Sequence, residues 1–92
     1  MPDEKITVLL VDDHHLVRRG FRRMLEDEDD IEVAGEASDG QEAIDKAREL
    51  APAVIVMDFA LPVINGAAAA RRILRAAPQT AILILSMHSE PD

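Results

Sequence analysis

Cysteine is absent from the 92 residues, which excludes disulfides, thiolate metal ligation and thiol catalysis. Tryptophan and tyrosine are absent too, and Phe21 and Phe59 are the only aromatics, so the core falls to aliphatic side chains. Lysine is scarce: Lys5 and Lys46 stand alone, and the other basic residues are arginines. No apolar stretch is long enough to span a bilayer, and the N-terminal MPDEK lacks the basic and apolar regions of a secretory signal. A cytoplasmic protein with no membrane partner is the expectation. Ten Lys and Arg against eighteen Asp and Glu give a formal charge of -8, which repels phosphate backbones and anionic lipid and argues against direct DNA binding.

What is present is a hydrophobic fraction of 48%, too high for disorder throughout, in a chain with room for one small domain. Ile6 to Val11 (ITVLLV) is a continuous, β-branched run ended by Asp12 and Asp13, the pattern of a strand buried on both faces. Leu16, Val17, Phe21, Met24 and Leu25 then recur at helical spacing, with Arg18, Arg19, Arg22, Arg23 and Glu26 between them. Gly20 inside this helix costs roughly 1 kcal/mol relative to alanine and offers a point of close packing. The acidic run Glu26 to Asp30 makes a solvated turn before Ile31 to Ala37 (IEVAGEA), whose alternation suits an edge strand.

Ser38 with Gln41, and Asp39 with Glu42, both have capping-box spacing. The helix they introduce carries Ala43, Ile44, Ala47 and Leu50 on one face and closes at Pro52. Ala53 to Met57 (AVIVM) is a second apolar run and delivers Asp58 at its end. Phe59 to Gly66 is an irregular loop, and Ala67 to Ala77 a helix that packs through Ala70, Ile73, Leu74 and Ala77. Thr80 to Leu85 (TAILIL) is a third buried-looking strand, and Ser86, Met87 and His88 begin a loop. The order β-α-β-α-β-α-β predicts an α/β fold, an open parallel sheet with helices on both sides.

In such a sheet, ligands collect beyond the carboxyl ends of the strands. Those ends carry Asp12 and Asp13, Asp58, and Ser86. Carboxylates gathered in one place repel one another, and a bound cation relieves that; an all-oxygen set completed by water and phosphate suits Mg²⁺. The plainer reading makes Asp12 and Asp13 caps of the helix that follows, and both roles are compatible. His14 and His15 are adjacent and point apart, which favours a local polar role over zinc ligation. The arginines of the first helix read as solvation and as partners of Glu26 or Asp27.

Four segments resemble the receiver domain of bacterial two-component response regulators, in particular the NarL/FixJ-like group. They are LLVDDHHLVRRGFRRML (Leu9 to Leu25), EVAGEASDGQEAI (Glu32 to Ile44), VIVMDFALPVING (Val54 to Gly66) and ILILSMHSE (Ile82 to Glu90), in order along nearly the whole chain. An aspartate four residues before Pro62 and eight before Gly66 joins the acidic pair and Ser86 in carrying the likeness. The resemblance implies a flavodoxin-like receiver fold that stops before its fifth strand and fifth helix, so that residues 1–92 are a receiver domain, C-terminally incomplete and without an effector domain. It implies Asp58 as phosphoacceptor and Mg²⁺ held by Asp12, Asp13, Asp58 and the backbone carbonyl of Phe59. Ser86 is implied to bond a phosphoryl oxygen, with Ala60, Pro62, Gly66, Met87 and His88 shaping the pocket.

The implied partner is a sensor histidine kinase, and DNA is reached only through a separate helix-turn-helix domain. The resemblance implies no enzyme beyond slow loss of the phosphoryl group to water. The family's lysine beside the phosphoryl group has no counterpart here, since neither Lys5 nor Lys46 occupies that position. A different reading follows from the missing fifth strand: an incomplete receiver that binds metal or self-associates through an uncovered fourth strand or first helix, without switching.

Overall fold

The computed structural model describes residues 4–85. Seven elements follow one another: β1 (Ile6–Val11), α1 (His15–Glu26), β2 (Ile31–Ala37), α2 (Gly40–Leu50), β3 (Val54–Asp58), α3 (Gly66–Ala76) and β4 (Ala81–Leu85). The expectations for Ser86, Met87 and His88 lie outside the described residues.

The strands form one parallel sheet in the order β2-β1-β3-β4, so β2 holds the edge position that its alternation suggested. Leu9, Val11, Ile55 and Met57 point to one face and pack beneath α2 and α3 through Ala43, Ala47, Ala69 and Ile73. Alanines at those helix positions let the helices sit close to the sheet. Val8, Leu10 and Val33 point to the other face, where α1 covers them with Phe21 and Leu25.

Register positions the functional end. Val11 pairs with Met57 and Asp58 with Leu85, so Asp12, one step beyond Val11, emerges beside Asp58. Between β1 and β2 the register slips after Val8, leaving Ala34 as the extra residue of a bulge before Gly35 pairs with Leu9.

Four packing expectations are corrected. Leu16 is 81% exposed and Met24 is also exposed, because α1 rests on the sheet only through its Val17, Phe21 and Leu25 side. Leu74 is exposed on α3, whose buried stripe runs instead through Gly66, Ala69, Ala70 and Ile73. β4 is not a buried strand: Leu83 is 53% exposed and Ile84 is exposed too, since among the described residues β4 pairs only with β3. Gly20 has nothing within 4 Å of where a Cβ would stand, so it mediates no close packing.

Candidate functional site

Three loops converge at the carboxyl ends of β1 and β3. The first is the turn Asp12–Asp13–His14. Asp12 is buried at 6% exposure, and its amide donates to the Ala37 carbonyl at 3.1 Å. His14 is the N-cap residue of α1 yet supplies no side-chain cap; its own amide donates to Asp12 Oδ1 at 2.7 Å. The Asp12 carboxylate thus closes a turn just ahead of the helix while staying at the strand end; among the described residues neither it nor Asp13 accepts an amide from the first turn of α1, so the reading of the pair as helix caps is not met.

The His14 ring completes the turn. Its Nδ1 lies 3.1 Å from Asp12 Oδ1 and 3.1 Å from Asp13 Oδ1. The hydrogen bond to Asp12, then the charge of Asp13, raise the imidazole pKa above 6.5.

The second loop starts at Asp58, also 6% exposed, which β3 carries to the same level. Oδ1 of Asp58 accepts the Ala60 amide at 3.3 Å, which fixes one oxygen of the carboxylate. Gly66 has a steric reason to be glycine: a Cβ there would lie 2.7 Å from the Asp58 carbonyl oxygen and 2.9 Å from Phe59 Cα. Its amide donates to the Phe59 carbonyl at 2.8 Å, and the Leu61 amide reaches the same oxygen at 3.2 Å. Both acceptor positions of the Phe59 carbonyl are therefore engaged inside the loop.

The Pro62 carbonyl accepts from Ile64 at 2.8 Å and from Gly40, at the start of α2, at 3.3 Å. A Cβ on Gly40 would collide with the Ile64 carbonyl, so the loop is pressed against the third loop, which leads into α2. There Asp39 accepts the Glu42 amide at 2.7 Å, while Glu42 Oε1 reaches back to the Ser38 amide at 2.8 Å. Of the two capping boxes legible in the sequence, Asp39 supplies the cap, and the Ser38 amide donates the return bond to Glu42. Asn65 caps α3 by accepting the Ala68 amide at 2.9 Å.

Asp12, Asp13, His14 and Asp58 each bring a ligand atom into one group, all within 4.8 Å of one another. The geometry unites the three carboxylates expected from the sequence and adds His14. Two of the three are buried, so ordinary hydration cannot separate their charges, and a compact cation relieves the repulsion. Carboxylate oxygens without a thiolate are the donor set of Mg²⁺, and the set fits that ion.

Arginines behind the site pair differently from the sequence expectation. Arg22 Nε does bind Glu26 at 2.9 Å, one helical turn on. Arg18, however, turns to β2: its Nε meets Glu36 Oε1 at 2.6 Å, and its Nη1 donates to the Asp12 carbonyl at 2.6 Å. Arg22 Nη1 also binds Glu36. Partial burial pushes the Glu36 pKa up, but the hydrogen bonds of the two arginines outweigh it and hold it below 4.5. Glu36 in turn, with Glu26, raises the Arg22 pKa. Sequence spacing could not reveal these pairs, because Glu36 lies 18 residues from Arg18 and meets it only across the sheet edge.

A parallel sheet of this order, with an acidic cluster at the ends of its first and third strands, defines a flavodoxin-like α/β fold with a candidate cation site. The chain belongs to the response regulator receiver domain family, whose model matches residues 8–92. It is 46% identical over 85 residues to the response regulator GacA of Pseudomonas viridiflava, an alignment covering 92% of this chain and 40% of that protein. To the response regulator UvrY of Escherichia coli K12 it is 48% identical, covering 92% of this chain and 39% of UvrY. The chain thus spans about two fifths of the length of the curated relatives it matches.

Among solved structures, the signal receiver domain of the putative response regulator NarL from Mycobacterium tuberculosis superposes with a TM-score of 0.85 at 35% identity, covering 96% of this chain and 71% of that one. A LuxR-family two-component response regulator from Aurantimonas sp. SI85-9A1 superposes at 0.87 with 40% identity, covering 94% and 61%. The acidic cluster matches the Mg²⁺ site of receiver domains. No helix among the described residues is long and apolar enough to cross a membrane.

Proposed function

We propose that this chain is the phosphoacceptor receiver of a two-component pathway and that Asp58 accepts the phosphoryl group. The observation that carries this reading is the gathering of Asp12, Asp13 and Asp58 at one sheet end, with Asp58 held by the Ala60 amide. Asp12, Asp13 and Asp58 would hold Mg²⁺; the Phe59 carbonyl joins them only by releasing the Gly66 or Leu61 amide. Bound there, Mg²⁺ supplies positive charge that neutralises phosphoryl oxygens.

Asp58 itself does the covalent work. With Oδ1 on the Ala60 amide, Oδ2 is left as the nucleophile. The new O–P bond forms as the phosphorus parts from its donor, the imidazole of a phosphohistidine on a sensor kinase or the acetate of acetyl phosphate. Ala60 brings only a methyl group to the entrance and obstructs approach little. Ser86 comes next in sequence after Leu85, the register partner of Asp58, and by its sequence position is assigned the phosphoryl-oxygen contact, with Met87 and His88 assigned to the pocket on the same ground. Pro62 and Gly66 shape the pocket through the loop bonds described above. A cytoplasmic location and a DNA-binding output through another domain belong to the same proposal.

Incubation with acetyl phosphate and Mg²⁺, read by intact mass, tests this. One added phosphoryl group, absent after Asp58→Asn, supports it; metal binding with no modification contradicts it.

A second reading has its own observation, the exposure of Leu83 and Ile84 on a strand with one described neighbour. An apolar strand edge pairs readily with another chain. Self-association through β4 predicts sedimentation as a dimer at high concentration, relieved by Leu83→Lys; a compact monomer throughout contradicts it.

A further inference from the structure

Arg18 is a cation placed beside a cation site. It lines the same small cleft as Asp12, Asp58, Phe21 and Leu85, and its side chain is only 14% exposed. Electrostatics alone makes this adverse, since a guanidinium competes with a divalent ion for the same negative potential. The geometry supplies the compensation. Nη1 of Arg18 donates to the Asp12 carbonyl, and that carbonyl shares one rigid peptide plane with the Asp13 amide. The orientation of this plane decides where the Asp13 carboxylate projects relative to that of Asp12.

Arg18 is itself fixed from β2. Its Nε is bound by Glu36 Oε1, and Glu36 is braced through its other oxygen by Arg22. A planar fork that bonds a carbonyl with one edge and a carboxylate with another has few rotamers left. We infer that Arg18 is a positioning residue for the cation site: through the Asp12 carbonyl it sets the peptide plane between two carboxylate ligands, and Glu36 of β2 holds it there.

This inference rests on the proposed function and sharpens it, because charge and positioning predict opposite signs. Removing Arg18 as a mere charge tightens Mg²⁺ binding; removing it as a positioning group loosens binding. The experiment measures the Mg²⁺ dissociation constant of the chain by NMR titration, at low and high potassium chloride, for the parent and Arg18→Met. Acetyl phosphate modification is followed in parallel.

The expected result is a dissociation constant raised about tenfold, the range known for groups that orient metal ligands, and persisting at high salt. The Mg²⁺ concentration for half-maximal phosphorylation rises by the same factor, while the rate at saturating Mg²⁺ stays near the parent's. Tighter or unchanged binding overturns the inference. Should Arg18→Met not fold, Arg18→Lys decides the matter: it keeps the charge and loses the fork, so a smaller rise supports the inference and an unchanged constant overturns it. A parent chain that binds no Mg²⁺ overturns the site reading and this role together, whereas equal binding by parent and variants leaves the site standing and removes only Arg18.

Discussion

Gly66 and Phe59 are locked together behind Asp58: the Gly66 amide donates to the Phe59 carbonyl at 2.8 Å, and no side chain fits between them. Gly66→Ala must push backbone against backbone, since the nearest atoms to the new methyl are the Asp58 oxygen and Phe59 Cα. Overpacking of this kind costs about 1–3 kcal/mol. Urea unfolding should show the midpoint falling with the slope unchanged, and phosphorylation should slow because Asp58 shifts with its loop.

Val63 carries the opposite lesson. It is a β-branched residue at φ 71°, in the left-handed region, and its side chain is 76% exposed. Glycine there relieves steric cost of about 1–2 kcal/mol while adding somewhat less unfolded-chain entropy. Val63→Gly is expected to raise stability by about 0.5 kcal/mol, seen as a higher urea midpoint with phosphorylation retained.

Gly20 faces open space in the middle of α1. Gly20→Ala should therefore stabilise the chain by about 0.5–1 kcal/mol, measured as a rise in Tm. A fall would show that α1 is approached closely by something at that point.

The Glu36 pKa is held below 4.5 in the fold by Arg18 and Arg22. A depressed carboxylate contributes stability that is full above its unfolded pKa and is lost as pH falls through the folded value. The parent should thus exceed Glu36→Gln in stability at neutral pH, by about 1–3 kcal/mol for charged hydrogen bonds. The gap should shrink below about pH 4.5. A gap independent of pH would mean that Glu36 acts by packing alone.

Much of the fold was legible because the strands are short, continuous apolar runs and the helices carry separate stripes. The pair Asp12 and Asp13 and the lone Asp58 stood out as acids ending such runs, and topology did the rest: parallel strands bring successive carboxyl ends to one side. Burial was less legible. Leu16, Met24 and Leu74 are as apolar as their buried neighbours, and only the helix docking angle decides which of them meets the sheet. β4 reads as buried from composition, yet burial depends on what lies over and beside it. The Arg18–Glu36 contact was hidden because no periodicity links α1 to β2, and His14 joined the cluster through a turn geometry that spacing does not encode.

The carboxylate at position 58, alone among the clustered acids, is expected to become the phosphoryl ester. Borohydride reduces an aspartyl phosphate to homoserine, so the modified residue can be located by fragment mass spectrometry after treatment with acetyl phosphate and Mg²⁺. Homoserine is expected at position 58 only, and nowhere when Mg²⁺ is chelated. Homoserine at position 12 or 13, or label at position 58 that persists without Mg²⁺, would contradict that assignment.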